Sequence, residues 1–510
     1  MLNIRNLTLT HKKDLTNLIE NLSLTVNKGE RLALIGEEGN GKTTLLKVIA
    51  GDHSVSSYIE VSGQINNTFV CGYLPQELPA GERMLSAYEF FCEEERFYDC
   101  SQRELGELAA SLSLSSDIFY SEQTMASFSG GERVKMQLAR MMMASPQMLL
   151  LDEPSNDLDI QTVKWLEDFL VSCGLTVLFV SHDEHLLRRA ATGVILLERL
   201  RRRQVPRASV CRQQYDKFTV SRRDLFEKQE RIARKEREEF DKKMQQYRQI
   251  RQRVEHEQNT VSRQDPMTGR LLKKKMHAVT SMGKRFEREQ QDMTAMPECE
   301  EAIFAKLSCS PLPPSKTVLD LHMDRLCIGD KVLSKDIHMN VRAVDKICIT
   351  GRNGVGKSTL LRAVHDNLRC REDLKVFYMP QDPGDMLDDH KTPLEMMEIS
   401  GDKEERVRNA VALGSMNFTA EEMNHPCAGL SGGQKAKLMF LMMACSQANV
   451  LLLDEPTRNL SPLSGPVVRA LFEAYNGSII AVSHDRAFAQ DVCTKQIELT
   501  VNGCRIIEKG

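Results

Sequence analysis

Gly36-Glu37-Glu38-Gly39-Asn40-Gly41-Lys42-Thr43-Thr44 and, 315 residues further on, Gly351-Arg352-Asn353-Gly354-Val355-Gly356-Lys357-Ser358-Thr359 share one pattern. A run G-x-x-x-x-G-K-[ST] makes a turn whose backbone N–H groups converge on an anion, and the helix that follows aims its positive end at the same point. The lysine reaches the β/γ-phosphates, and the hydroxyl after it meets Mg²⁺. A short apolar strand runs into each loop, Glu30-Arg31-Leu32-Ala33-Leu34-Ile35 and Asp345-Lys346-Ile347-Cys348-Ile349-Thr350, and an apolar helical run leaves it. Strand, loop and helix in that order are what a phosphate site needs. Two such sets in one chain predict two nucleotide sites. The binding residues are Gly36, Gly39, Asn40, Gly41, Lys42, Thr43 and Thr44 in one, and Gly351, Asn353, Gly354, Val355, Gly356, Lys357, Ser358 and Thr359 in the other.

Working outward, the whole surroundings of the loops are duplicated. Val70 to Gln76 matches Val376 to Gln381, Ser129-Gly130-Gly131-Glu132 matches Ser431-Gly432-Gly433-Gln434, and Met148 to Pro154 matches Val450 to Pro456. Val180-Ser181-His182-Asp183 matches Val482-Ser483-His484-Asp485. Leu149-Leu150-Leu151 and Leu451-Leu452-Leu453 are continuous apolar runs, the mark of parallel strands buried on both faces, so each half is expected to be an α/β domain.

Composition bounds the rest. The 510 residues are 41% hydrophobic and 27% charged with a formal net charge of −3, ordinary values for a globular protein of about three domains. No stretch of 18 apolar residues occurs, which argues against a membrane span. Met1-Leu2-Asn3-Ile4-Arg5 lacks the apolar core of a signal peptide. The fourteen cysteines never fall in a Cys-x-x-Cys spacing, which predicts reduced, buried thiols in a cytoplasmic protein rather than zinc or iron–sulfur sites.

The small net charge conceals an asymmetry. Residues 201–290 carry 26 Lys/Arg against 13 Asp/Glu, leaving 42 against 58 elsewhere. Between Asp224 and Glu257 there is no Gly or Pro, and Ile232, Phe240, Met244, Tyr247 and Val254 form an apolar stripe at helical spacing, one eight-residue step excepted. After a break at Gln264 to Gly269, a second stripe takes in Leu272, Met276, Val279, Met282, Phe286, Met293 and Met296. Two helices joined by a short turn predict an antiparallel hairpin reaching about 50 Å. Its tip is basic at Arg263, Arg270, Lys273, Lys274, Lys275, Lys284 and Arg285. A charged helix pair is most often a solvated coiled coil. Here one sign dominates, and few aromatics interleave it, which favours the backbone of a folded RNA as ligand.

The duplicated motifs assign a chemistry. Hydrolysis of a γ-phosphate needs positioning and charge neutralisation above all. Lys42 and Lys357 supply charge. Thr43, Asp152 and Gln76, with Ser358, Asp454 and Gln381, are placed to hold Mg²⁺ and its water. Glu153 and Glu455 follow the aspartates, and strand alternation turns them elsewhere, where they can activate the attacking water. His182 and His484 end another strand and can bond the γ-phosphate. Taken singly, these are strand ends, turns and flexible loops; recurrence in the same order favours catalysis.

This ordered set resembles the ATP-binding-cassette ATPases over both lobes. Ser129–Glu132 and Ser431–Gln434 are similar to that family's signature loop. The resemblance implies head-to-tail packing, in which the signature of one lobe closes over the nucleotide of the other, so that Lys42 and Glu153 meet Ser431–Gln434 while Lys357 and Glu455 meet Ser129–Glu132. Two cassettes, no membrane segment and a basic helical linker together resemble the ABC-F proteins. So do Asn156-Asp157-Leu158-Asp159-Ile160 and Asp265-Pro266-Met267-Thr268-Gly269-Arg270. That likeness implies a monomeric cytoplasmic ATPase acting on the ribosome. Its linker would touch transfer RNA and ribosomal RNA near the peptidyl-transferase centre, in translation or in protection from antibiotics. The expected architecture is therefore two P-loop cassettes, 1–210 and 301–510, in tandem and joined by a basic antiparallel helical hairpin at 211–300.

Three departures from the family pattern stand out. Glu38 replaces the asparagine found at Asn353, Ser461 replaces the aspartate found at Asp159, and neither His11 nor Cys327 or Ile328 is a convincing aromatic for adenine. A carboxylate beside phosphates weakens binding unless it is paired or turned away, so the two sites are expected to hydrolyse at different rates. The rival readings are the ATP-binding subunit of a transporter and a DNA-associated cassette ATPase.

Overall fold

The computed structural model of the protein describes residues 1–156, 158–200, 205–260, 266–294, 296, 307, 309–329, 331–398, 401–458 and 460–507. The chain forms two compact bodies, one of Met1–Tyr215 with Glu300–Gly510, the other of Asp216–Cys299.

The first body holds both α/β lobes. In the first lobe six strands lie side by side as Cys71–Leu74, Met148–Asp152, Thr176–Val180, Arg31–Ile35, Gly193–Arg199 and Val205–Cys211. The second repeats the order with Val376–Met379, Val450–Asp454, Ser478–Val482, Lys346–Thr350, Lys495–Thr500 and Gly503–Ile507. Pairing is parallel except at the last strand of each sheet. The runs Met148–Asp152 and Val450–Asp454 are buried at every residue, as strands covered on both faces must be. Helices Lys42–Ala50 and Lys357–Leu368 pack Leu45, Leu46 and Ile49, or Leu360, Leu361 and Val364, against these sheets. One strand separates the loop-bearing strand from the one ending in Asp152 or Asp454, so loop and carboxylate emerge together at the carboxyl edge, where ligands of such sheets bind.

An antiparallel layer of Leu2–His11, Asn17–Val26 and Ile59–Asn67 covers the first lobe, and the pair Thr317–Ile328 and Lys331–Arg342 stands in the second. No disulfide forms among the described cysteines. The expectation of buried thiols holds for Cys348, Cys427 and Cys493 but not for Cys327, Cys370 and Cys445, which are exposed.

The second body contains two helices, Tyr215–Thr260 and Pro266–Asp292. The first is longer than its apolar stripe suggested: 46 residues, about 69 Å at 1.5 Å per residue, against about 40 Å for the 27 of the second. The second begins on Pro266, a residue suited to a first helical turn because its missing N–H has no partner there. Partners run oppositely on the two helices. Glu236 accepts from the Thr294 N–H at 2.7 Å, Lys243 pairs with Glu289, and Lys275 pairs with Glu257 at 3.2 Å. Phe286 packs edge-on against Phe240 and Tyr247, with ring centroids 6.3 and 5.6 Å apart.

Both stripes need a correction. Ile232 and Met282 face solvent at 39% exposure, and Met296 at 41%, while Ala233 is buried. With Ala233 the spacing to Phe240, Met244, Tyr247 and Val254 becomes 7, 4, 3 and 7, a heptad seam without the eight-residue step. On the partner helix Gly283 takes the position expected of Met282, because a β-carbon there would stand 2.6 Å from the Tyr247 hydroxyl. Arg270, Lys273, Lys274, Lys275, Lys284 and Arg285 are all exposed. Arg263 lies outside the described residues.

Candidate nucleotide sites

Each glycine loop is a tight arch over a neighbouring strand. At Gly36 and Gly351, with φ of 151° and 147°, a β-carbon would come within 2.2 Å of the Leu197 carbonyl oxygen and 2.5 Å of that of Leu499. Only glycine fits. Lys42 Nζ donates to the carbonyls of Gly36 and Glu37 at 2.8 and 3.0 Å, and Lys357 Nζ to those of Gly351 and Arg352 at 3.0 and 3.1 Å. The lysine thus spans its own loop. Asn40 donates its side-chain amide to the Leu197 carbonyl at 3.0 Å. Val355 at the same loop position is buried in the core.

A cavity of about 550 Å³ joins the second loop to the first lobe's signature helix. Asn353, Gly354, Gly356, Lys357, Ser358, Thr359, Gln381, Asp454, Glu455 and His484 line it from one lobe, and Gly130, Arg133 and Asn156 from the other. Ile328 and Leu333 close it on the side where an aromatic was sought. A smaller cavity of about 240 Å³ is lined by Leu18, Glu38, Gly39, Gly41, Lys42, Thr43, Thr44, Gln76, Asp152, Glu153 and His182, with Arg458 from the second lobe. His11 turns to Asp14, 2.9 Å away.

Both signature helices, Gly130–Met143 and Gly432–Ser446, begin with a capping box. Glu132 folds back to accept from the Ser129 N–H at 2.9 Å, and Gln434 Oε1 does the same for Ser431 at 2.9 Å. The Glu132 and Gln434 side chains hold the helix start. Gly131 packs on Thr162, whose side chain would stand 2.9 Å from an added β-carbon. At the first site the second lobe's signature does meet the loop, but through a carboxylate: the Gly433 N–H donates to Glu38 at 2.5 Å. Beside it the buried Glu37 accepts from the Ser464 hydroxyl at 3.2 Å and lies 3.5 Å from Lys437 Nζ.

Glu153 and Glu455 reach their places by a turn and not by strand alternation. The strands end at Asp152 and Asp454, and each glutamate takes a left-handed backbone, φ 49° and 50°. Such strain in a non-glycine residue persists only where the surroundings enforce it. Here the two N–H groups are bonded to the carbonyls of Val180 and Val482 at 3.1 and 2.9 Å.

The equivalent carboxyls differ electrostatically. Burial raises the Glu153 pKa, but His182, whose Nε2 is 2.9 Å away, and Lys42 overcome it and hold the group below its ordinary value. At Glu455 burial prevails over the His484 N–H and Lys357 and pushes the pKa up to about 8. His484 Nε2 is 3.8 Å off. The His182 ring is also tied to the other lobe, through Nδ1 and the Leu460 carbonyl.

Both Asp152 carboxylate oxygens and Asp454 Oδ1 are buried without a hydrogen-bond partner. Burial pushes Asp152 up to about 6 against the Thr43 hydroxyl and Lys42, and raises Asp454 against the Ser358 hydroxyl. Orphaned carboxylate oxygens beside a hydroxyl are the donors a hard divalent cation takes, so these residues fit Mg²⁺. Asn156 and Arg458, absent from the expected site, line both cavities, as His182 does. They occupy the same place in the repeat, 302 residues apart, which was the available signal.

Two such loops on duplicated sheets, each with a signature helix, define a tandem-cassette ATPase, and the chain belongs to the family described as "ABC transporter", matched over residues 19–156 and again over 334–458. Within it the chain is of the ABC-F type. It is 29% identical to "ATP-binding protein Uup" of Escherichia coli (strain K12) over 97% of this chain and 78% of that protein. It is 29% identical to "ATP-binding cassette sub-family F member 3" of Homo sapiens over 94% and 69%. It is 26% identical to "ABC transporter F family member 5" of Arabidopsis thaliana over 96% and 73%. The fold is shared with a solved structure of "archaeal ribosome recycling factor aABCE1" in complex with a ribosomal stalk protein, at 16% identity and a TM-score of 0.59, over 98% of this chain and 89% of that one. No described helix is long and apolar enough to cross a membrane.

Proposed function

We propose that the protein is a cytoplasmic ABC-F ATPase whose cassettes close head-to-tail over two ATP molecules and which works on the ribosome. The linker meets transfer RNA and ribosomal RNA near the peptidyl-transferase centre, in translation or in protection from antibiotics. The observation that carries the closure is the larger cavity, walled by Lys357, Ser358 and Glu455 of one cassette and Gly130 of the other. In it Lys357 and the loop N–H groups hold the phosphates, Gly130 adds a helix N-terminus from the opposite side, and Glu455 takes a proton from water aligned by Gln381 and His484. Lys42, Glu153, Gln76 and His182 do the same at the first site. Thr43 with Asp152, and Ser358 with Asp454, would hold Mg²⁺, which supplies charge neutralisation between the β- and γ-phosphates.

The ribosomal role is supported by the exposed basic run Arg270, Lys273–Lys275, Lys284 and Arg285 on the hairpin and by the F-family names of the relatives. Polyanion binding of this kind is driven by displaced counterions. A Glu153→Gln/Glu455→Gln protein retains ATP and is expected to sediment with ribosomes when ATP is present. Sedimentation with DNA or membranes instead would refute the assignment. Expression in a susceptible host, with tolerance to drugs of the large subunit measured, separates antibiotic protection from a translation role.

A further inference from the structure

From Asp152 to Asp183 and from Asp454 to Asp485 the lobes keep one spacing, so each residue has its counterpart 302 positions later. On that register Glu167 corresponds to Arg469 and Glu184 to Arg486. These four side chains meet across the boundary between cassettes. Arg469 donates through both terminal nitrogens to the two Glu184 oxygens at 2.6 and 3.1 Å. Arg486 donates to Glu167 Oε1 at 3.2 Å and to the Ile160 carbonyl at 3.2 Å. Glu167, Glu184 and Arg469 are buried at 3%, 6% and 6% exposure. Each pair is therefore the image of the other under exchange of cassettes, with the charges inverted.

The loops follow the same polarity. Glu37 of the first loop lies beside Lys437 of the second cassette, while its counterpart in the second loop, Arg352, acts on Asp159 of the first: burial raises that carboxyl's pKa, and the hydrogen bonds from Thr162, then His484 and Arg352, hold it below its ordinary value. In the pairs that cross the boundary the acid belongs to the first cassette and the base to the second. Each acid of the quartet also has a base on its own side, Arg189 for Glu167 at 3.0 Å and Arg188 for Glu184 at 2.9 Å, and Arg469 has Asp491 at 2.8 Å.

We propose that the inverted pairs are a recognition code by which each cassette accepts the other and rejects its own kind. Pairing two first-type faces would set Glu167 against Glu184, and two second-type faces would set Arg469 against Arg486. Like charges buried together cost far more than exposed ones. The inference rests on head-to-tail closure and not on the ribosomal role.

The test uses the full chain in the Glu153→Gln/Glu455→Gln background and reads the rate at which trapped ATP is lost. Glu167→Arg with Glu184→Arg, and separately Arg469→Glu with Arg486→Glu, are expected to release ATP roughly tenfold faster or more. All four changes together restore complementarity between the cassettes in the opposite sense but leave Arg188, Arg189 and Asp491 against like charges within each cassette, and are expected to recover part of the lost retention. Unchanged retention in both double variants, or a quadruple variant no better than either, overturns the code. A parent protein that traps no ATP would instead sink the closure reading.

Discussion

Glu153 and Glu455 are chemically the same residue on the same left-handed turn, yet His182 and Lys42 hold one below its ordinary pKa while burial pushes the other up to about 8, so that a smaller share of it is ionised near neutral pH. A base must be ionised to accept a proton. Hydrolysis at the first site is therefore expected to exceed that at the second near neutral pH, and single-turnover assays should show a larger loss for Glu153→Gln than for Glu455→Gln. Equal losses would contradict the asymmetry. Glu38 works in the opposite direction on binding. Its carboxylate lies on the Gly433 N–H, in the path of an incoming phosphate, whereas Asn353 at the equivalent place accepts from Lys357 at 3.4 Å. Replacing Glu38 by Asn should tighten ATP at the first site about tenfold, worth about 1.4 kcal/mol, as read by titration of a fluorescent nucleotide analogue. Loop, aspartate, glutamate and signature were all legible as motifs. The inequality between the sites was legible only as an odd residue at position 38, because its sign depends on which group faces that carboxylate.

At the scale of elements, the basic hairpin shows how far periodicity carries. Its helices were readable from the absence of Gly and Pro and from the recurrence of apolar residues, but large side chains misdirected the seam. Ile232 and Met282 are the larger apolar residues, while the packed positions belong to Ala233 and Gly283. Facing helices need small residues where an aromatic such as Tyr247 crosses, and a hydrophobic stripe alone does not reveal where that is. The basic side chains lie off this seam and are exposed. Changing Arg270, Lys273, Lys274 and Lys275 to Ala should weaken ribosome association and flatten its dependence on salt. The log–log slope should fall by about 0.7 to 0.9 for each phosphate that is no longer neutralised. Because Lys275 is also paired with Glu257 at 3.2 Å, the triple change of the other three is expected to give most of the effect. An unaltered slope would displace the RNA-binding surface from this face.

Across the whole molecule, the cassettes are joined by charged groups withdrawn from water. Lys437 and Glu37 are each 1% exposed, and removing one partner of a buried pair strands the other. Lys437→Met is expected to lower stability in denaturant by about 3 kcal/mol, and adding Glu37→Gln should recover most of it. A loss that the second change leaves untouched would mean that Lys437 acts through packing alone. This pair, like the inverted quartet, was invisible before the fold was known: Glu37 and Lys437 stand 400 residues apart, and nothing local tells a surface lysine from one at an interface. What the sequence by itself determined was everything repeated at short range, namely two phosphate loops, two strand-end carboxylates, two signature starts and a helical basic insert. Those features are written in residue types a few positions apart, although distant segments complete them, as Leu197 does beneath the first loop. What only the tertiary structure decided was which carboxyl is the more ionised, which small residues form the hairpin seam and which charges cross between cassettes. Those depend on burial and on distances between groups that are far apart along the chain.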